Sequence, residues 1–410
     1  MSTVTLFELL SERERRAQKR ASLIFEHGLP VITFTLNLAG AEKRSPLSDF
    51  IFRAGEKALR EKLGNPLHYA LFDSPAGLCS FFVYSEHAAV LKNICMVLED
   101  GEAGRLFDFD VTNEHGAALS RSEPRCCLLC DRPAAECARS REHPLEQVLA
   151  KANDIMLKFA AARLAAGAHA ALIKELDLTP KPGLVDKNNS GAHFDMDYSL
   201  FVKSAAALTP YFEHAVLMGA AGAGLPPLEA EGIAAEAAMF AATEGVNTHK
   251  GAIFLFMTLL CGIGAHFSGS GDPFSAAAAL AAEKSAAQST HGAAVRAKYA
   301  APGAVGEAAA GFPTAVFAAG LLAKGAPPLR ALFEIMARTE DTNVLFRGGV
   351  PALDFVHRSA ARALSLPDDF LPAESARLDG EFILRGISPG GCADILALAL
   401  FIAENFPPAP

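Results

Sequence analysis

Along the first third of the chain, short β-branched and aromatic runs alternate with amphipathic stretches. The runs 30–36, 80–84 and 106–111 read as strands, and apolar residues at three- and four-residue spacing predict helices over 8–25 and 47–63. From about Leu145 the texture changes to Ala-rich segments with helical periodicity: 145–176, 197–219, 228–243, 250–267, 273–289, 314–323, 327–339 and 392–404. The pattern predicts two domains, a mixed α+β domain over 1–155 and an all-α domain over 160–410. Residues 145–175 contain no proline, so a continuous helix is expected to join them. No repeat of fixed period is visible, which argues against a solenoid.

Composition narrows the function. The chain has 410 residues, a net charge of −9 and 20% charged residues, and the pI is about 5.8. General binding to nucleic acid or to an anionic membrane needs a basic surface, so neither is expected, and a phosphorylated ligand must be held by local positive sites. The apolar run 252–265 is shorter than a bilayer span and reads as a buried helix. The charge-dense run 11–16 stands where a signal peptide would be apolar, so a cytoplasmic location is expected. In that reducing compartment the eight cysteines should be thiols or metal ligands; six of them precede residue 140.

In the first domain, strand geometry places Asp108 and Asp110 of Gly104-Arg105-Leu106-Phe107-Asp108-Phe109-Asp110-Val111 on one face, with Phe107 and Phe109 on the other. Such a pair is either a Mg²⁺ clamp or the solvated face of an edge strand. Lys43 and Arg44 follow a glycine turn and offer cations to phosphate, as do Arg121 and Arg125. Cys127, Cys130, Cys137 and His143 have ligand types suited to zinc; buried free thiols are the competing reading.

The strings 104–111, Ser120-Arg121, 125–130 and 137–143 resemble the apo-citrate lyase phosphoribosyl-dephospho-CoA transferase family over most of residues 8–150. The resemblance implies a nucleotidyltransferase-like domain that moves a prosthetic group from its triphosphate precursor onto a serine of the acyl-carrier subunit of citrate lyase, releasing pyrophosphate. It implies Mg²⁺ on Asp108 and Asp110, and phosphates gripped by Arg105, Arg121 and Lys43. Two departures are visible: Gly101-Glu102-Ala103-Gly104 where the family has His-Pro-Leu-Gly, and Asn37-Leu38-Ala39-Gly40 where it has Asn-Ile-Pro-Gly.

In the second domain five polar islands, 179–186, 191–197, 243–251, 341–349 and 388–394, interrupt the helical pattern. Loops dense in Gly, Lys, His and Asp joining packed helices point to the rim of one site. Lys181, Lys250 and Arg347 supply charge for phosphates, and helices beginning near Asn247-Thr248 and after Ser388, Gly390 and Gly391 offer backbone N–H groups to anions. Asp186, Asp195 and Asp197 supply oxygen ligands for Mg²⁺, and Glu236 shares a helix face with Thr243. His193 and His249 are either site residues or structural histidines. Neither a P-loop nor a Rossmann glycine fingerprint is present here.

These islands, in this order, resemble the triphosphoribosyl-dephospho-CoA synthase family over residues 165–405. The resemblance implies that ATP and 3′-dephospho-CoA are substrates, joined with release of adenine. Asp186, Asp195, Asp197 and Glu236 are then the candidates for stabilising charge on the ribose and for acid–base work, with His249 beside them. Val305 stands where that family has Arg, and Arg296 or Lys298 are possible substitutes for it. Two other readings stay open on sequence alone: maturation of a malonate decarboxylase carrier subunit, and a citrate lyase scaffold with one inactive site.

Overall fold

The computed structural model describes residues 4–101, 103–121, 123–286 and 301–406. The chain divides into two compact units, 1–160 and 161–410.

The first unit is α+β. Helix α1 (Leu6–His27) begins with a reciprocal capping box between Thr5 and Glu8 and is followed by strand β1 (Val31–Leu36). Helix α2 (Pro46–Leu63), strands β2 (His68–Phe72) and β3 (Cys79–Val83), helix α3 (Ala88–Glu99) and strands β4 (Phe107–Thr112) and β5 (Ala118–Leu119) come next, and short helix α4 (Ala134–Ser140) closes the set. The five strands form one antiparallel sheet in the order β2-β3-β1-β4-β5. Alternation splits its side chains between two faces. One carries Ile32, Phe34, Phe82, Phe107 and Phe109, buried under α2 and α3, with Phe34 stacked on Phe52 and Phe109 at centroid distances of 4.8 and 4.2 Å. The other carries Val31, Cys79, Phe81 and Val83, which pack with Leu23 of α1.

Helix α5 (Leu145–Asp177) runs unbroken through the position where the units divide. The second unit is all-α: α6 (Tyr198–Ala220), α7 (Leu225–Ala242), α8 (Lys250–Phe267), α9 (Pro273–Ala286), α10 (Gly303–Ala309), α11 (Pro313–Ala323), α12 (Pro328–Arg338), α13 (Thr342–Leu364), α14 (Leu371–Leu384) and α15 (Gly390–Asn405). Small residues let α6 and α8 touch backbone to backbone. A Cβ on Gly219 would lie 1.9 Å from the Cys261 carbonyl oxygen, and one on Gly264 would lie 2.0 Å from that of Val216. The end of the expected helix 273–289 beyond Ala286, and both Arg296 and Lys298, lie outside the described residues.

Two expectations change. The island 341–349 is not a loop: Asp341 caps α13, which continues through it and kinks at Gly349 (φ 65°, ψ −163°). The run 252–265, expected to be too short for a bilayer span, lies in α8, which like α5 is by length and composition long and apolar enough to cross one, and α10 with α11 would count as a bent third. In α8, 72% of the apolar window is buried inside the protein, which is how this unit uses it.

Candidate functional site

In the first unit the register sets Thr33 opposite Asp110 and Thr35 opposite Asp108, so these four side chains share one sheet face. A cleft of about 230 Å³ lies there, lined by Glu12, Arg13 and Arg16 of α1 and by Thr35, Lys43 and Asp108 among others. Burial, and then the charge of Asp110, hold the Asp108 carboxyl above its usual range, while Arg125, 3.9 Å away, pulls it down. Burial and then Arg13 lower the proton affinity of Lys43. The buried Thr33 hydroxyl on the same face has no hydrogen-bond partner. Of the cations at this cleft, Arg16 donates to the Ala76 and Gly77 carbonyls and lies 3.6 Å from Glu12, and Lys43 donates to the Leu38 carbonyl.

Other expected residues are occupied elsewhere. Arg105 donates to the carbonyls of Cys126 and Cys127. Arg121 pairs with Asp100 at 2.6 Å and lies 3.5 Å from the buried Glu99. Arg44 pairs with Asp49 and Asp73. Neither Arg105 nor Arg121 lines the cleft. Arg13 and Arg16, which do, were legible only as part of a charged N-terminal run. Next to the departure at 101–103, Gly104 is tightly packed, since a Cβ there would lie 2.2 Å from the Leu98 carbonyl oxygen. The ligand atoms of Cys127, Cys130, Cys137 and His143 lie within 4.8 Å of one another.

In the second unit the five islands meet. Ala192 N–H donates to the Gly183 carbonyl at 3.1 Å. His193 bonds Ser388 through Nε2 at 2.8 Å, and Arg347 donates to the Ala192 carbonyl and to His193 Nδ1, both at 3.0 Å. Asp341 accepts from the N–H groups of Asn343, Val344 and Cys392, which locks 341–349 onto the start of α15. Asp394, one turn into α15, accepts from Ala252 N–H at the start of α8. A Cβ on Gly251 would lie 2.0 Å from Asp394 Oδ2, so only glycine admits this approach.

The interior of the cluster is acidic. Glu175, Asp341 and Asp394 are each raised by burial, and Asp394, also facing Glu175 and Asp341, is raised well above the carboxylate range. His249 is buried and bonds Ser204 at 2.7 Å; burial and then Lys181 depress it to about 3, so its ring is neutral. Burial and Arg347 lower His193 as well.

Several predicted residues prove to be committed. Lys181 is buried and bonds Glu175 Oε1 at 2.6 Å, so its ammonium is not presented to a phosphate. Asp186 is buried and accepts from the N–H groups of Lys181, Asn188 and Asn189, shaping the 181–189 turn. Asp197 caps α6 through Leu200 N–H, and both it and Asp195 are exposed. Glu236 pairs with Lys250 at 2.7 Å, and Asn247 accepts from Lys250 N–H. Thr248 donates to Ser204 at 2.8 Å. Among the described residues, the cysteine–histidine quartet is the sole group of three or more candidate metal ligands that closes on one point, so Asp186, Asp195 and Asp197 do not form a cage. Glu175, Asp341 and Asp394 were not singled out from sequence, although Asp394 ends the string 388–394.

Comparison with known proteins agrees with this division. Residues 4–159 match the family model for apo-citrate lyase phosphoribosyl-dephospho-CoA transferase, and residues 161–406 match that for ATP:dephospho-CoA triphosphoribosyl transferase. The chain is 32% identical to Protein CitXG of Haemophilus influenzae, over 98% of this chain and 96% of that one. It is 31% identical to Protein CitXG of Leuconostoc mesenteroides subsp. cremoris, covering 98% and 97%. A 2-(5′′-triphosphoribosyl)-3′-dephosphocoenzyme-A synthase of Haemophilus ducreyi is 36% identical over 67% of this chain and 98% of its own length. With both matches in order on one polypeptide and relatives of the same span, the chain belongs to the family of bifunctional transferases that make and attach the citrate lyase prosthetic group.

Proposed function

We propose that the five-loop cluster of the second unit joins ATP to 3′-dephospho-CoA, and that the cleft beneath α1 is the nucleotidyltransferase-like site that passes the product to the citrate lyase acyl-carrier subunit in the cytoplasm. In the first reaction the bond between the ATP ribose and adenine breaks, the ribosyl carbon bonds the 2′-hydroxyl oxygen of dephospho-CoA, the hydroxyl proton departs and adenine leaves protonated. In the second, a carrier serine oxygen bonds the phosphorus nearest the ribose and pyrophosphate leaves.

The observation that carries the first assignment is the contact of Asp394 with the N-terminus of α8. A carboxyl whose proton affinity is raised by burial and by the neighbouring Glu175 and Asp341, in a ring of loops that present Lys250, Arg347, His193 and Ser388, suits proton donation to a departing base while cations hold the triphosphate. Asp186 and Lys181 act as positioning residues, fixing the 181–189 turn through buried bonds. Val305, half-buried on α10, adds no cation, so Arg347 and Lys250 carry that role.

In the transferase cleft Arg13, Arg16 and Lys43 hold phosphate oxygens and Asp108 and Asp110 would hold Mg²⁺, with Asp195 and the free oxygen of Asp197 the corresponding pair in the synthase site. When bound, the ion neutralises phosphate charge, and two carboxylates suffice because Mg²⁺ takes its remaining ligands from phosphates and water.

The test is incubation of the full chain with ATP, Mg²⁺ and 3′-dephospho-CoA, with nucleotides separated by chromatography and weighed. Free adenine together with a triphosphoribosylated dephospho-CoA is expected. ADP, AMP or untouched ATP would overturn the synthase assignment.

A further inference from the structure

The four residues Cys127, Cys130, Cys137 and His143 play no part in either proposed reaction, yet the fold brings them together. Cys130 Sγ lies 3.5 Å from Cys137 Sγ and 3.3 Å from His143 Nε2, and all four ligand atoms lie within 4.8 Å of one another. Two sulfurs each about 2.3 Å from a tetrahedral zinc ion stand about 3.8 Å apart, so the spacing matches the ion closely. We propose that these residues bind one structural zinc ion, and that the ion pins the segment 125–143 against the strand carrying Asp108 and Asp110.

The backbone around the quartet is built for that role. Cys127 N–H donates to the Arg132 carbonyl at 2.7 Å and Ala134 N–H to the Arg125 carbonyl at 2.8 Å, folding 125–134 into a tight hairpin with Cys127 and Cys130 in its loop. Within it Leu129 N–H points at Cys127 Sγ from 3.5 Å, a donor that a thiolate accepts better than a thiol. Helix α4 supplies Cys137 and ends at Arg141 in the left-handed region (φ 50°), and Glu142 N–H returns to the Cys137 carbonyl, which turns His143 back onto the sulfurs. The Arg132–Glu142 pair at 2.6 Å ties hairpin to turn. Free core thiols would be fully buried, as Cys79, Cys95, Cys261 and Cys392 are, whereas Cys127 and Cys130 are only half-buried. On binding, three thiols release three protons, and three thiolates with a neutral imidazole leave the centre at −1 beside the Arg132 guanidinium.

The hairpin reaches the transferase strand through two arginines. Arg125 donates to the Phe107 carbonyl at 2.7 Å and pairs with Glu99 at 2.5 Å, and Arg105 donates to the carbonyls of Cys126 and Cys127. Metal loss should therefore impair carrier modification while adenine release from ATP continues.

The test is metal analysis of the full chain purified under reducing conditions without chelators, with about one zinc per chain expected. Cys130→Ser and His143→Ala should lose that zinc, and Cys126→Ser, outside the quartet, should keep it. Should the first two variants fail to accumulate, exchange of cobalt into the wild-type chain decides, since four-coordinate thiolate cobalt absorbs strongly in the visible. A wild-type chain that takes up neither zinc nor cobalt, contains iron instead, or carries a Cys130–Cys137 disulfide when isolated reduced would overturn the proposal. None of these readouts depends on the transferase reading being correct.

Discussion

Replacing Lys181 by methionine asks whether its charge serves the substrate or the fold. Its side chain is 1% exposed and that of Glu175 7%, with the ammonium 2.6 Å from Oε1 and 2.8 Å from the Glu175 carbonyl. Removing the ammonium strands a carboxylate that already faces Asp186 and Asp394. Breaking such a buried pair costs about 3–5 kcal/mol, whereas replacing both members by apolar groups is often neutral or stabilising. Lys181→Met should therefore weaken the second unit by that amount, and the Glu175→Met/Lys181→Met double variant should recover to within about 1 kcal/mol of wild type. Because the chain divides into two compact units, the assay reads the second by itself, as hydrogen exchange on peptides from 161–406 across a urea series. The KM for ATP is measured on each variant. Wild-type stability in Lys181→Met with a KM raised tenfold or more, unchanged in the double variant, would refute the reasoning and restore a phosphate role.

Other outcomes follow from the same geometry. His249 stays neutral down to about pH 3, while an unfolded imidazole takes its proton near 6.5. Between those values the unfolded chain binds more protons, so stability should fall as pH drops, by up to about 1.4 kcal/mol per unit; His249→Asn should flatten that slope in urea midpoints at pH 7, 6 and 5. Gly251→Ala puts a Cβ 2.0 Å from Asp394 Oδ2 and should cost about 1–3 kcal/mol together with most of the adenine release, read by chromatography. Asp108→Asn should abolish mass gain by the carrier subunit and leave adenine release within about twofold of wild type; equal loss of both would contradict two separate sites.

Much of this was legible in the residues. Period-two alternation put Asp108 and Asp110 on one face of a strand, and the register with Thr33 and Thr35 completes it. The five islands also stood out, because glycine and proline density punctuates helical pattern. The same signal misled at 341–349, where Gly348 and Gly349 read as a loop but lie in a helix that kinks at Gly349. Helix α3 was missed although Leu91, Lys92, Cys95 and Glu99 share its buried face, since His87 gives no side-chain cap to mark its start. Charge alone could not show that Lys181 is spent on Glu175, nor that Arg13 rather than Arg105 lines the cleft beside Asp108. Those facts depend on which helix end packs where, and residue type does not encode it.

The central claim is that one polypeptide holds two chemically distinct sites whose reactions run in sequence. Asp108→Asn and Asp394→Asn chains, each with ATP, Mg²⁺, 3′-dephospho-CoA and apo carrier subunit, should both fail to modify the carrier, the first still releasing adenine and the second losing about 10²–10⁴-fold of it. Mixed together they should modify the carrier again, since one variant makes the triphosphate intermediate and the other consumes it. Carrier modification by Asp394→Asn alone, or no recovery on mixing two folded variants, would contradict the account.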